Sequence, residues 1–330
     1  MNVVKERKKY KMYKPPAPDD RLGIDVQERD LEIMTHIWRY RLIESSAIFK
    51  LFPNSSEDVL RGRLKLMFDN ELIDRPRAQR SGKTTGGSKH KVYAIKNQGA
   101  YLVQKHVPFD IKPTRWTQKN KELATRTVDH HLSTSRFASG LHASAAAHGD
   151  VQMKYIDEII PRNMSENRPA GLFTTLRADV RDWTPVGLNE GTAADLIVAL
   201  ESSTTGGVFM IEIDEGTETI TPGKRQRESE KFWSRTSYLR KLLIYGAAFR
   251  AKAHQKQLGI QSFRKLTITT NRDRVAEMQA CYRNHLGQGS NKVHPGLFLF
   301  SDWETLDAAD DFLSAQYVNA ANKPVSLIPA

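Results

Sequence analysis

The sequence predicts a mixed α/β chain in two parts, a basic helical front end and a sheet flanked by helices. Three observations lead there. Apolar residues recur at helical spacing in three segments between residues 28 and 70, ahead of two short strand-like runs. From residue 153 to 300 the order strand, hairpin, helix, strand, helix, strand indicates a mixed sheet with helices on its faces. A length of 330 residues, 39% hydrophobic and 27% charged, suits a globular chain with two domains.

Composition narrows the class. The single cysteine, Cys281, rules out an intramolecular disulfide and a cysteine-based zinc site. No apolar run approaches ~18 residues, and the start of the chain lacks an apolar signal segment, so a soluble protein of the cytoplasm is expected. The charge is uneven. Residues 1–115 hold 24 Lys+Arg against 14 Asp+Glu, while the remainder holds 26 against 24. A basic front third beside a nearly neutral remainder predicts a polyanion partner there, nucleic acid before membrane.

Residues 1–20 read as a basic, Pro-containing arm with Lys5, Arg7, Lys8, Lys9, Lys11 and Lys14. Helices are expected over Glu28–Tyr40, Ser45–Leu51 and Ser56–Asn70. The first carries Leu31, Met34, Ile37 and Trp38 on one stripe. The third starts with capping chemistry at Ser55-Ser56-Glu57-Asp58 and should bury Val59, Leu60, Leu64, Met67 and Phe68, leaving Arg61, Arg63 and Lys65 exposed. Two short strands, Glu71–Arg75 and Lys91–Ile95, then flank a Gly-rich tip. Between them Arg75, Arg77, Arg80, Lys83, Lys89 and Lys91 occur without one acid. Ser81-Gly82-Lys83-Thr84 is no phosphate loop, because Arg77 stands where the first glycine belongs and no apolar strand precedes it.

Residues 113–330 read as a second domain. Pro113–Gly149 is helical; its adjacent His130 and His131 point about 100° apart, so they cannot share a metal. Met153–Ile160 reads as a strand, and residues 161–192 as loops around a strand near Phe173–Val180. A basic linker, Thr221–Arg227, contains Lys224. A long helix, Glu228–Gln257, follows with Tyr238, Leu242, Tyr245 and Phe249 on one stripe and Lys241 on or near it. Lys265–Thr270 is a strand, Arg272–Tyr282 a helix and Leu297–Phe300 a strand.

The chemistry gathers in a hairpin. Ala193–Leu200 and Val208–Asp214 are strand-like, joined by the polar Glu201–Gly207. Glu212 and Asp214 share a face at period two, and the hairpin brings Asp195 across from them. Three carboxylates at one spot suit a hard divalent cation, magnesium or manganese, held with water and substrate phosphate. Isolated acids near turns more often only stabilise the turn, but two of them inside an apolar strand are costly there.

Three helices followed by a basic β-hairpin resemble a winged helix-turn-helix domain. That resemblance implies that the third helix, with Arg61, Arg63 and Lys65, enters the major groove of double-stranded DNA while the wing rests on phosphate. The second domain resembles the PD-(D/E)xK nuclease superfamily, in which restriction endonucleases have a mixed sheet flanked by helices. Asp195 and Glu212 match its two acids. Asp214 stands where that pattern has its lysine, and Lys241 or Lys224 would substitute for it. Together with His131-Leu132, the Glu212–Glu218 run and Lys241-x-x-x-Tyr245, the chain resembles the replication-relaxation family, which includes the MobC-type plasmid relaxases. The resemblance implies a metal-dependent endonuclease nicking one strand at a transfer or replication origin, alongside other relaxosome proteins or a coupling protein. The alternative is a non-catalytic replication or transcription regulator on a degenerate nuclease fold. No His-x-His occurs, which excludes the commoner histidine-triad relaxases.

Overall fold

A computed structural model describes residues 14–76, 90–107, 114–160, 175–181, 189–223 and 236–328. The described residues form two compact units, divided after Arg136.

In the first unit, α1 (Glu28–Tyr40) opens with a reciprocal cap in which the Gln27 backbone N–H donates to Asp30 Oδ2 at 2.9 Å. The helix buries Ile33, Met34, Ile37 and Tyr40, and ends at Arg41 with φ 68°. β1 (Ile43–Glu44), α2 (Ser45–Leu51) and α3 (Glu57–Asp69) follow, and the Ser56 hydroxyl caps α3 by accepting from the Val59 N–H. β2 (Ile73–Asp74) and β3 (Val92–Ile95) pair antiparallel, with β1 on the other side of β3. α4 (Asn97–His106) starts so close to β2 that a Cβ on Gly99 would lie 2.2 Å from the Leu72 carbonyl oxygen, so only glycine fits there. α5 (Trp116–Lys121) places the buried Asn120 to donate to Asp74 and the Ile95 carbonyl and to accept from Arg41. α6 (Thr125–His148) adds Val128 and Leu132 to a core with Leu42, Val92 and Ala94.

Two expectations need correction here. Val59 is 48% exposed, because the buried stripe of α3 runs through Leu60, Leu64, Met67 and Phe68 and leaves it outside. Arg75 is not a solvated wing residue. It is buried, its guanidinium 4.0 Å above the Phe68 ring and 5.5 Å from the Tyr93 ring.

The second unit is built on a seven-stranded sheet. Its strands are β4 (Gln152–Tyr155), β7 (Leu196–Glu201), β8 (Gly206–Ile213), β9 (Arg264–Thr269), β10 (Phe298–Asp302), β11 (Tyr317–Asn319) and β12 (Pro324–Val325), in spatial order β12-β11-β10-β9-β8-β7-β4. β8, β9 and β10 run parallel, and the flanking pairs are antiparallel. Leu196–Leu200 is buried at every position, as a strand covered on both faces should be. The expected hairpin forms, its turn closed by the Ser202 N–H on the Thr205 carbonyl at 2.7 Å. A separate ribbon of β5 (Thr175–Asp179) and β6 (Asn189–Ala193) packs on α8 (Tyr238–Arg250); β6 falls in the stretch expected to be loop.

Met153–Ile160 is a strand only to Tyr155. The Glu158 carboxylate accepts from the Tyr155 N–H at 2.9 Å and starts the one-turn helix α7 (Ile156–Ile159). The long helix is two, α8 and α9 (Ala253–Leu258), divided at Lys252 with φ 52°. The break stacks His254 on Phe249, rings 5.5 Å apart, which positions i and i+5 of a straight helix cannot reach. α10 (Arg272–His285) and α11 (Trp303–Ala308) follow β9 and β10. No described helix is long and apolar enough to cross a membrane.

Candidate active site

Register makes the site. The paired register of β7 and β8 ends at Leu196 opposite Ile211, and Asp195, the residue before β7, lies just past it beside the end of β8 that carries Glu212. The Asp195 N–H donates to the Ile211 carbonyl at 3.0 Å, and Asp195 Oδ2 accepts from the Ile213 N–H at 2.8 Å. On β9 the face is continued by Lys265, Thr267 and Thr269, with Thr267 opposite Glu212.

Glu212 is buried, 3% exposed, and two groups from α8 reach it. Lys241 Nζ lies 3.0 Å from Oε2, and the Tyr245 hydroxyl donates to Oε1 at 2.8 Å. Lys241 and Tyr245 are four residues apart on one helix face, so both meet the same strand residue. Lys241 also reaches Glu218 at 3.3 Å. Lys265 is fully buried, its Nζ 4.8 Å from the Tyr238 ring and donating to Thr267 Oγ1. Burial pushes the Glu212 carboxyl up and Asp195 adds to the push, while Lys241 pulls against both without reversing the direction. For Lys241 burial works downward, but Glu212 and Glu218 outweigh it and the ammonium is held well above its usual range. Burial lowers Lys265 to about 8, against the pull of Glu212.

Asp214 is occupied differently. Arg274 from α10 grips it, Nη2 to Oδ1 at 2.9 Å and Nε to Oδ2, and the Thr269 hydroxyl donates to Oδ2 at 2.6 Å. Burial alone would raise this carboxyl, but the Arg274 and Thr269 hydrogen bonds override it and hold it below its usual value. The three acids expected to share a metal are therefore not one set. Magnesium takes one or two carboxylates plus substrate phosphate, and the neighbouring Asp195 and Glu212 are of the type and number it asks for. Asp214 fits that demand less well, since the Arg274 fork takes both of its oxygens and Thr269 adds a third donor, whereas Glu212 has a single lysine that it shares with Glu218. Among the described residues no group of three or more His, Cys, Asp or Glu is placed to hold a metal ion.

Of the other expected residues, Lys241 reaches the acids and Lys224 lies outside the described residues, as do Arg77, Arg80, Lys83 and Lys89. On α3, Arg63 is turned inward onto the buried Asp30. Arg61 forms an exposed pair with Glu57 one turn away, and the exposed Lys65 pairs with the buried Asp69. Lys91 is exposed; partial burial and then the nearby charges of Arg75 and Arg61 depress its pKa, so three cations converge there. Sequence reasoning missed Lys265 and Arg274. Lys265 had a signal, the period-two row Lys265, Thr267, Thr269 in an apolar strand. Arg274, in the first turn of a helix, had none.

In comparison with protein families, residues 34–262 match the family described as Replication-relaxation. Comparison with curated proteins and with solved structures finds no match.

Proposed function

Because the chain belongs to the replication-relaxation family, which ties it to the replication and relaxation of mobile elements, we propose that it nicks one strand of duplex DNA at a transfer or replication origin. The observation that carries this is the nearness of two carboxylates, Asp195 just before β7 with its Oδ2 on the Ile213 N–H and the buried Glu212 on β8, with Lys241 3.0 Å from Glu212. Asp195 and Glu212 would hold magnesium or manganese, which when bound activates a water or hydroxyl nucleophile and offsets charge on the phosphate. Lys241, part-exposed and cationic, is placed to pair with charge developing on the scissile phosphate. Tyr245 orients Glu212 through its hydroxyl, and its full burial makes it a holder of the carboxylate rather than a nucleophile. Lys265 offsets the charge of Glu212 from below. The first unit supplies affinity for the duplex: Arg61 and Lys65 on α3 and the exposed Lys91 offer positive charge in the manner of a winged helix. The origin DNA is the partner, with other relaxosome proteins or a coupling protein beside it.

The test is conversion of supercoiled plasmid carrying the cognate origin to open circles, with magnesium, manganese or chelator. Wild type should nick with metal only, and Asp195→Asn and Glu212→Gln should not nick while still binding DNA. Metal should also raise the unfolding temperature of wild type and not of these variants. The regulator alternative is favoured by one observation, the Arg274 grip on Asp214. Absence of both nicking and the metal-dependent shift would establish it instead.

A further inference from the structure

Asp214 stands where the nuclease pattern has a lysine, and its partners say what it does there. Arg274 spends three donors in one place. Two go to the Asp214 carboxylate, and Nη2 also donates to the Glu218 backbone carbonyl at 2.6 Å. The intervening loop turns back at Gly216, φ 74°, whose N–H donates to Asp214 Oδ2 at 3.3 Å. Beyond it the Thr219 and Ile220 carbonyls accept from the Tyr238 and Leu239 N–H groups at 3.0 and 3.1 Å, tying the loop to the first turn of α8. The Glu218 side chain on this loop then meets Lys241 at 3.3 Å, opposite Glu212 at 3.0 Å. A planar fork with several donors spans carboxylate and carbonyl together, which a lysine's single ammonium does not.

We infer that Arg274 and Asp214 are a positioning pair: by clamping the loop from Asp214 to Thr219 they set the Glu218 carboxylate, which fixes Lys241 against Glu212. Neither touches the reacting atoms. On the proposed nicking reaction, on which its kinetic consequence rests, Asp214 preserves the chemistry that its position would otherwise have lost, because it places the lysine that has moved to α8. Lys241 stays divided between two acids and free to turn to an arriving phosphate.

The test uses the full chain labelled with nitrogen-15, reading the Lys241 side-chain ammonium signal, assigned by its loss in Lys241→Arg. Glu218→Gln and Arg274→Lys should each move that signal, and the double variant should move it no further than the larger single change. If Arg274→Lys does not fold, Asp214→Asn takes its place with the same expected result. On the nicking assay each single variant should lower kcat about 10- to 100-fold, as a displaced catalytic group does, with KM within about twofold. The double variant should be no slower than about twofold below the slower single, because both act through one contact. A Lys241 signal moved by Glu218→Gln and unmoved by Arg274→Lys and Asp214→Asn overturns the inference. So do losses that multiply in the double variant. A wild type that never nicks would remove the proposed function yet leave the ammonium measurement to decide the clamp.

Discussion

Asp30 in the first unit and Glu212 in the second are each buried against a cation from a helix, and these two pairs are built to opposite ends. Asp30 is fully buried in the first unit. It accepts from Arg63 Nε at 3.0 Å and Nη2 and from the Gln27 N–H, while Arg63 also donates to the Asp25 carbonyl at 2.8 Å. One acid meets one forked cation, and every strong group is satisfied. Glu212 meets a lysine, a point charge, and must share it with Glu218 while the carboxylate of Asp195, just before β7, repels it. The first arrangement fastens α1 to α3. The second leaves charge unevenly matched, so an arriving metal or phosphate can redistribute it. Burial of an ion pair therefore does not by itself mark a site; an undivided pair is a fastener, and a divided one is a candidate for chemistry.

Breaking the fastener should cost most. Arg63→Ala strands a buried carboxylate and should lower stability by about 3–5 kcal/mol in urea unfolding. A loss below about 1 kcal/mol would mean that Asp30 finds water and the contrast fails. Next comes Lys265, whose folded pKa of about 8 lies below its unfolded value. A depressed lysine disfavours the fold wherever only the unfolded state is fully protonated at no cost. Stability should therefore rise with pH from about 8 to about 10.5, by on the order of 3 kcal/mol. Lys265→Met should flatten that rise; an unchanged pH curve would show that the ammonium is already compensated.

Glu212→Gln should change stability by only about 1 kcal/mol, since the loss of the Lys241 contact is balanced by relief of Asp195 repulsion and of carboxylate burial. Its folded pKa is raised, so its contribution is present below the glutamate range and is lost as pH rises through the folded value. The wild-type minus variant stability should decline across that window. For Asp214, held low, the sign reverses: stability is lost as pH falls through its folded value. A flat Glu212 difference would make that pair another fastener. The smallest stability effect is expected for Arg61→Ala, within about 0.5 kcal/mol because its pair with Glu57 is exposed. Its effect belongs on DNA instead, where the slope of log affinity against log salt should shrink by about 1.

The helices α1 to α3 were legible because an apolar stripe and a capping serine are local signals. The β7–β8 hairpin was legible because two strand-like runs flank a polar stretch ending in glycine, and closing it brings Asp195, before the first strand, near Glu212, close to the end of the second. Lys241 was found by counting from Tyr238 to Tyr245 along one helix face. What escaped was the partner of each charge. Arg63 and Arg61 lie two apart and look alike in sequence, yet one turns in to Asp30 and the other out to Glu57. Arg75 reads as part of a basic run and is packed on Phe68.

By itself the sequence determined the mixed α/β class, the β7–β8 hairpin, and the resemblance that the family match upholds. These follow from periodicity and spacing, which act over a few residues. Only the tertiary structure decided that Asp214 belongs to Arg274, sixty residues away, and that Lys265 lies beneath Glu212 on the neighbouring strand. A long-range ion pair leaves no period in the chain. It arises when parallel β8 and β9 and the helix after them bring distant positions together, and the strongest available partner then claims each buried charge.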